Sequence, residues 1–232
     1  QDLPYVLESI KILRRELDGR VPLIGFGGAQ FTLACYMVEG KGAKDFLQIR
    51  RMMYTAPEVY ASLMEKVTRM GIAYLNAQIG AGVQAVQIFD TWGGILSPHD
   101  YQRYVLPYSR MMIDGLVRDD LPVIHFVKGA SGMLDLVASA GADVVGLDWH
   151  TSLGRARDQL GRHIAVQGNL DPAVLHAPLP VIEAQVRRIL DENGGRPGHI
   201  FNLGHGITPE VPPEHARFMV ECVHRLSGTA PV

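Results

Sequence analysis

Six short apolar runs recur along the chain, and each of them ends in a turn or a polar cluster. The runs are mostly continuous rather than alternating, which is typical of strands buried on both faces of a parallel sheet. They lie at Pro22–Gly27, Ala85–Asp90, Pro122–Val127, Val144–Trp149, Ile164–Asn169 and His199–Leu203. The pattern therefore predicts six buried parallel strands.

Helical patterns lie before and between these runs. Apolar residues recur at helical spacing over residues 3–17, 59–74 and 182–190. Thr55–Glu58 resembles a capping box with Pro57 in the first turn. Ser97 followed by Pro98 predicts a second helix N-terminus. The uncharged stretch Met70–Phe89 is long enough to span a membrane, but its four amide side chains favour a helix, a glycine turn and a strand.

Strands that alternate with helices predict βαβ units, here read as one domain over residues 1–232. Polar residues cluster where the predicted strands end, which is the active-site face of a (β/α)8 barrel. A doubly wound open sheet is the alternative, but Gly25–Gly28 lacks the third glycine of a phosphate-binding fingerprint. Because a closed barrel has eight strands, we expect an α/β fold of the (β/α)8 TIM-barrel type with six strands here and two βα units absent before Gln1.

Composition and charge exclude several classes of protein. The net charge is −2 and the basic residues are scattered, which argues against a nucleic-acid or anionic-membrane surface. The two cysteines, Cys35 and Cys222, form no CxxC motif, so a disulfide scaffold is excluded and a reducing, cytoplasmic setting fits. The first residues contain no basic region followed by an apolar core, so no signal peptide is visible.

Candidate polar groups follow the strands. Asp90 and Thr91 place a carboxylate and a hydroxyl at a strand end, although capping a turn explains them equally well. Asp148 repeats the pattern and leaves the same two interpretations open, whereas Asp171 before Pro172 favours a helix cap. Tyr36 follows a glycine-rich turn, and its phenol either points into a pocket or belongs to the core.

Among the nine histidines, His205 has the context most typical of a site. It lies between two glycines after the last predicted strand, where an imidazole can donate hydrogen bonds to an anionic ligand or titrate near neutrality. His125 also lies at a strand end, but no cysteine or second histidine is near it in sequence. Catalytic zinc requires three protein ligands, so we predict no metal site.

Taken in order, several segments of the chain resemble the uroporphyrinogen decarboxylase family. They cover essentially the whole sequence, and their succession is more specific than any one of them. The segments are PLIGFGGAQFTLACYMVEGKG, QIFDTWGGILS, YVLPY, VVGLDW, VQGNLDP and HIFNLGHGI. Two positions depart from the usual pattern, since Gln30 replaces a proline and Thr91 stands where many members have serine.

The resemblance implies a cofactor-free (β/α)8 homodimer of the cytoplasm that acts in haem and chlorophyll synthesis. Such an enzyme removes CO2 from the four acetate side chains of uroporphyrinogen III and produces coproporphyrinogen III. A protonated pyrrole ring serves as the electron sink, which explains why no cofactor is needed. The implied partner is therefore a small porphyrinogen substrate, with no nucleic acid or membrane.

The resemblance also implies roles for individual residues. Tyr36, Thr91 and His205 match residues that contact substrate side chains, and Tyr36 and His205 are the expected catalytic pair. Phe26 and Phe89 match apolar residues that line the pocket. The family's aspartate for the pyrrole N–H groups and its arginines for substrate carboxylates have no counterpart here. We therefore expect this chain alone to be inactive and prone to aggregation.

Two alternative functions remain open. Zinc-dependent methylcobamide methyltransferases share the fold but use a His-x-Cys motif and a later cysteine as zinc ligands. The corresponding segment here is His125-Phe126-Val127, and the last loop contains no cysteine. The other alternative is a non-catalytic fragment whose exposed strand edges pair with another chain.

Overall fold

The computed structural model describes residues 4–40 and 42–228. The chain divides into two compact units, Gln1–Asp143 (unit 1) and Val144–Val232 (unit 2). Each unit contains three parallel strands that alternate with helices. Among the described residues, no helix combines the length and the apolar character that crossing a membrane requires.

Unit 1 contains strands β1–β3 and helices α1–α7. The strands are β1 (Ile24–Gly28), β2 (Ala85–Asp90) and β3 (Val123–Val127). The helices are α1 (Pro4–Leu17), α2 (Gln30–Glu39), α3 (Leu47–Thr55), α4 (Pro57–Gly80), α5 (Pro98–Tyr104), α6 (Leu106–Asp114) and α7 (Leu134–Ala138), with a 3-10 turn at Gly93–Ile95. The register places Gly28 beside Phe89 and Asp90 beside Val127, so the carboxyl ends of the three strands lie at one edge.

Unit 2 contains strands β4–β6 and helices α8–α10. The strands are β4 (Val144–Gly146), β5 (Ala165–Leu170) and β6 (His199–Leu203). The helices are α8 (Leu153–Leu160), α9 (Leu179–Asn193) and α10 (Pro213–Ser227), with a 3-10 turn at Pro172–His176. Within the unit, β5 pairs with β4 on one side and with β6 on the other, both in parallel.

All six predicted strands are present, and the α/β class with parallel strands is confirmed. The predicted helices at 3–17, 59–74 and 182–190 correspond to α1, α4 and α9. The stretch Met70–Phe89 is the end of α4, a turn and β2, as its amides and glycines predicted. A single domain over residues 1–232 remains a prediction.

Burial on both faces is confirmed for β3 but is wrong for two of the strands. Every residue of β3 is buried, whereas Ile24 and Phe26 of β1 and Ile200 of β6 are exposed. Within the described residues, β1 pairs only with β2 and β6 only with β5, so these end strands lack a second neighbour to cover them. A continuous apolar run predicts a strand that a parallel sheet can bury, but it does not predict whether that strand lies at the edge of the sheet.

The two predicted helix N-termini have different outcomes. The Ser97 hydroxyl accepts a hydrogen bond from the Asp100 N–H, which confirms the N-cap of α5. The capping box at Thr55–Glu58 is wrong, because Thr55 is the last residue of α3 and its hydroxyl donates to the Arg51 carbonyl. Pro57 nevertheless starts α4, where a missing N–H removes no helical hydrogen bond.

Candidate functional site

Two exposed phenylalanines, one in the middle of β1 and one near the carboxyl end of β2, form an apolar face. Phe26 is 63% exposed, and its ring centroid lies 6.0 Å from that of Phe89 at an interplanar angle of 82°. Phe89 makes a second edge-to-face contact with Phe126 of β3, also at 6.0 Å. The two predicted lining residues therefore share one face with Phe126, which pairs with Phe89 in the strand register. Large apolar rings exposed side by side are typical of a ligand-binding surface.

Tyr36 projects from α2 beside two other aromatic rings. It is 40% exposed, so the alternative that it belongs to the core is wrong. Its ring makes edge contacts with Phe46 at 6.1 Å and with Trp92 at 6.3 Å. Phe46 and Trp92 lie 4.5 Å apart, and Phe46 is fully buried. The phenol is thus partly open to solvent, while its ring is braced on two sides.

Asp90 is fully buried and caps a turn instead of facing solvent. Its Oδ1 accepts hydrogen bonds from the Thr32 hydroxyl at 2.7 Å and from the Gly93 N–H at 3.1 Å. Burial raises the pKa of the Asp90 carboxyl to about 6, although these hydrogen bonds act in the opposite direction. Of the two roles left open for Asp90, the structure supports the structural one.

The turn after Asp90 requires glycine at two successive positions. A Cβ on Gly93 would lie 2.7 Å from Asp90 Oδ2, and a Cβ on Gly94 would overlap the carbonyl oxygen of Lys128. These glycines therefore let the turn pack directly against the carboxyl end of β3. Thr91 is partly buried at the start of this turn, next to Asp90.

The strand ends of unit 2 are organised around Asp148. This residue is 2% exposed, and its Oδ1 accepts a hydrogen bond of 2.9 Å from the His150 N–H. The Asn169 side-chain amide donates to the Asp148 carbonyl at 3.0 Å. Asp148 and Asn169 thereby connect the segment after β4 to the end of β5. The structure supports a role for Asp148 in shaping the backbone.

His205 is exposed immediately after the end of β6. The preceding Gly204 is buried, and its N–H donates to the Leu170 carbonyl at 2.7 Å. A Cβ on Gly204 would lie 2.8 Å from the Trp149 backbone nitrogen, so only glycine fits there. His205 therefore extends from a closely packed loop, with its side chain accessible to a ligand.

The structure thus brings Phe26, Tyr36, Phe89 and Thr91 to the strand ends of unit 1, and it places His205 at the corresponding end of β6 in unit 2. Asp171 caps the following 3-10 turn by accepting from the Ala173 N–H, which confirms its structural interpretation.

His125 lies in the buried middle of β3, and burial lowers the pKa of its imidazole to about 4. Over residues 4–40 and 42–228, no three histidine, cysteine, aspartate or glutamate side chains are grouped as metal ligands would be.

Sequence reasoning missed two residues that shape this region. Thr32 binds Asp90, and Phe46 packs against Trp92 and Tyr36. Thr32 lies one helical turn before Tyr36 in an apolar segment, and this spacing was the available signal for a shared face. Phe46 has a left-handed backbone (φ 43°) in a loop, which no pattern in the sequence indicates.

The chain matches the family model described as uroporphyrinogen decarboxylase over residues 1–226. Curated proteins named uroporphyrinogen decarboxylase are similar to nearly all of it. The protein of Geobacter sulfurreducens is 72% identical over 227 residues, and that of Geotalea daltonii is 73% identical over 227 residues. In both cases the match covers 98% of this chain and 67% of the relative. The chain therefore spans about two thirds of the length of these relatives.

Solved structures show the same fold at low sequence identity. A methyltransferase from Methanosarcina mazei superposes with a TM-score of 0.84 at 20% identity, covering 96% of this chain and 64% of that one. A B12-independent methionine synthase from Shewanella sp. W3-18-1 superposes with a TM-score of 0.67 at 12% identity, covering 96% and 65%. At these identities the likeness concerns the fold alone.

Proposed function

Because the chain belongs to the uroporphyrinogen decarboxylase family, we propose that it removes CO2 from the acetate side chains of uroporphyrinogen III to produce coproporphyrinogen III. The observation that carries this proposal is the identity of about 70% with curated decarboxylases over nearly the whole chain. The exposed aromatic face of Phe26 and Phe89 supports it, because the pyrrole rings of the macrocycle have apolar faces that can pack on such a surface.

In this proposal the aromatic and the polar side chains contact different parts of the substrate. Phe26 and Phe89 contact the faces of the macrocycle, since both rings are open to solvent beside each other. The Tyr36 and Thr91 hydroxyls and the His205 imidazole donate hydrogen bonds to substrate carboxylates. We assign Tyr36 and His205 to the catalytic step, since both are exposed and carry a mobile proton.

The reaction needs no cofactor, because the substrate supplies its own electron sink. A proton adds to a pyrrole carbon and makes the ring cationic. The electron pair of the bond to the leaving carboxylate then enters the ring, and CO2 departs. A second proton converts the resulting methylene to a methyl group, and the first proton leaves the ring. The protein's task is to orient the macrocycle and stabilise the cation.

The test uses the full-length protein and anaerobically prepared uroporphyrinogen III. Chromatography of the oxidised products should show porphyrins with seven, six, five and finally four carboxylates. Absence of decarboxylation, with methyl transfer from a methylated corrinoid instead, would contradict the proposal. The fold likeness to a methyltransferase does not favour that alternative, since its identity is only 20%.

We also propose a homodimer that works in the cytoplasm. Family membership supports both statements. Sedimentation equilibrium of the full-length protein should report twice the mass of one chain, and the mass of a single chain would contradict the dimer.

A further inference from the structure

We propose that Asp90 is a positioning residue that, through Thr32, holds the Tyr36 phenol and the Thr91 hydroxyl at a fixed separation. The inference rests on the proposed function, because it concerns the two groups assigned there to the substrate. Asp90 has no exposed surface and therefore acts on the substrate only through other residues.

One carboxylate oxygen joins a helix to a turn. Asp90 Oδ1 accepts from the Thr32 hydroxyl of α2 at 2.7 Å and from the Gly93 N–H at 3.1 Å. The Thr32 oxygen in turn accepts from the Trp92 N–H at 3.2 Å. These three hydrogen bonds form a closed network among the helix, the end of β2 and the turn. Such a network is strong where water is excluded.

The network fixes both residues that carry the proposed contacts. Thr91 lies between Asp90 and Trp92, and each of these neighbours takes part in the network. Thr32 lies one turn before Tyr36 on the same face of α2, so the hydrogen bond that anchors Thr32 also anchors the helix backbone that carries Tyr36. The contact between the Tyr36 and Trp92 rings, 6.3 Å apart, joins the two sides again.

The second carboxylate oxygen of Asp90 allows a substitution that distinguishes a positioning role from a role in proton transfer. Within the described residues, Asp90 Oδ2 has no hydrogen-bond partner. An asparagine can keep the acceptor at Oδ1 and place its amide nitrogen at this second position. Asp90→Asn therefore preserves the network and removes the titratable group, whereas Asp90→Ala removes both. Thr32→Ser and Thr32→Val form the corresponding pair at the helix.

The first experiment measures kcat and KM of the full-length protein for uroporphyrinogen III. Misplacement of reacting groups by about 1 Å lowers rates by on the order of 100-fold, so Asp90→Ala and Thr32→Val should lower kcat by about 10- to 100-fold. Asp90→Asn and Thr32→Ser should remain within about threefold of wild type, which is the expected rescue. Thr68→Val is the matched control, because the Thr68 hydroxyl donates only within its own helix, to the Met64 carbonyl.

Two results would overturn the proposal. If Asp90→Asn loses as much activity as Asp90→Ala, the carboxyl acts through its proton and not through its hydrogen bonds. If Thr32→Val and Asp90→Ala keep the wild-type kcat, the network has no effect on the reaction.

A second measurement does not depend on activity. The chain has two tryptophans, so Trp149→Phe leaves Trp92 as its single tryptophan, whose emission can be excited selectively over that of the tyrosines. In that background, Thr32→Val should increase the mobility of Trp92, measured as lower fluorescence anisotropy, while Thr32→Ser and Thr68→Val should not. Unchanged anisotropy in Thr32→Val would overturn the positioning role. Failure of the wild-type protein to decarboxylate would instead overturn the proposed function.

Discussion

An aspartate follows or ends both β2 and β4, but the two aspartates are hydrogen-bonded to different parts of the chain. Asp90 and Asp148 are both buried at these ends, and both accept hydrogen bonds from the backbone that follows. Asp90 also binds Thr32, which belongs to a helix 58 positions away in sequence. Asp148 is instead joined through its carbonyl to Asn169 at the end of β5. In both places the carboxylate shapes the loop that follows the strand.

A carboxylate that follows a buried strand is therefore weak evidence for a ligand-binding group. A carboxylate is a strong acceptor, and the N–H groups of a turn after a strand need acceptors. The residues proposed to bind the substrate, Tyr36, Thr91 and His205, carry phenol, hydroxyl and imidazole groups, which act as donors. A substrate with many carboxylates needs donors more than it needs further negative charge. We therefore assign the buried carboxylates to the scaffold and the phenol, hydroxyl and imidazole groups to the substrate.

The largest expected effect on stability follows from the turn after Asp90. Gly94→Ala places a Cβ on the Lys128 carbonyl oxygen, which is backbone and cannot rotate away. We expect a loss of about 3 kcal/mol or more in the free energy of unfolding, measured by urea denaturation. Gly132→Ala is the control, because nothing lies within 4 Å of its added Cβ. Equal stabilities of the two variants would show that the turn is not closely packed against β3.

The pH dependence of the free energy of unfolding should reveal the elevated pKa of Asp90. Its pKa is about 6 when folded, against an ordinary value of 3.8, so the folded state keeps a proton that the unfolded chain has released. The stability that this retained proton contributes is fully present below about pH 4 and is lost as the pH rises through about 6. It amounts to roughly 2 to 3 kcal/mol at 1.36 kcal/mol per pKa unit.

The measurement compares wild type with Asp90→Asn from pH 4 to 7. Wild type should lose stability relative to the variant as the pH rises, because the amide does not ionise. His125 acts in the opposite sense, since its lowered pKa of about 4 makes the protein lose stability as the pH falls below 6.5. Both proteins contain His125, so its effect cancels. Cys35, Tyr60 and Tyr101 face the same carboxyl, but burial raises the pKa of each, so they stay neutral. Parallel pH profiles would contradict an elevated pKa of Asp90.

A smaller effect is expected from the link between α2 and the turn. Thr32→Val removes the hydroxyl but keeps the shape, and it leaves the Trp92 N–H and Asp90 each without one partner. We expect a loss of about 1 to 2 kcal/mol, measured as a shift in the urea midpoint. Thr68→Val should lower the free energy of unfolding by less. It removes a hydrogen bond within one helix, from the Thr68 hydroxyl to the Met64 carbonyl, and breaks no link between separate elements. A larger loss of stability in Thr68→Val than in Thr32→Val would contradict a specific contribution of the hydrogen bonds between α2 and the turn.

The sequence predicted more of the fold than of the site. Continuous apolar runs identified all six strands, although two of these strands are not buried on both faces. The exposure of Phe26 on β1 was not predictable, since it depends on which strands lie at an edge. Motif resemblance predicted Tyr36, Thr91 and His205 as site residues, and this stays a prediction, whereas local pattern could not decide between capping and binding for Asp90. That choice depends on Thr32, a contact between distant parts of the chain.

The decarboxylation rates of two variants of the full-length protein test this division between scaffold and substrate-binding groups. His205→Ala should lower kcat for uroporphyrinogen III by about tenfold or more, because it removes an exposed donor, and its melting temperature should stay within about 1 °C of wild type. Asp90→Asn should remain within about threefold of the wild-type rate, since the buried acceptor is preserved. The reverse result, an inactive Asp90→Asn beside a fully active His205→Ala, would contradict the division between buried scaffold and exposed donor.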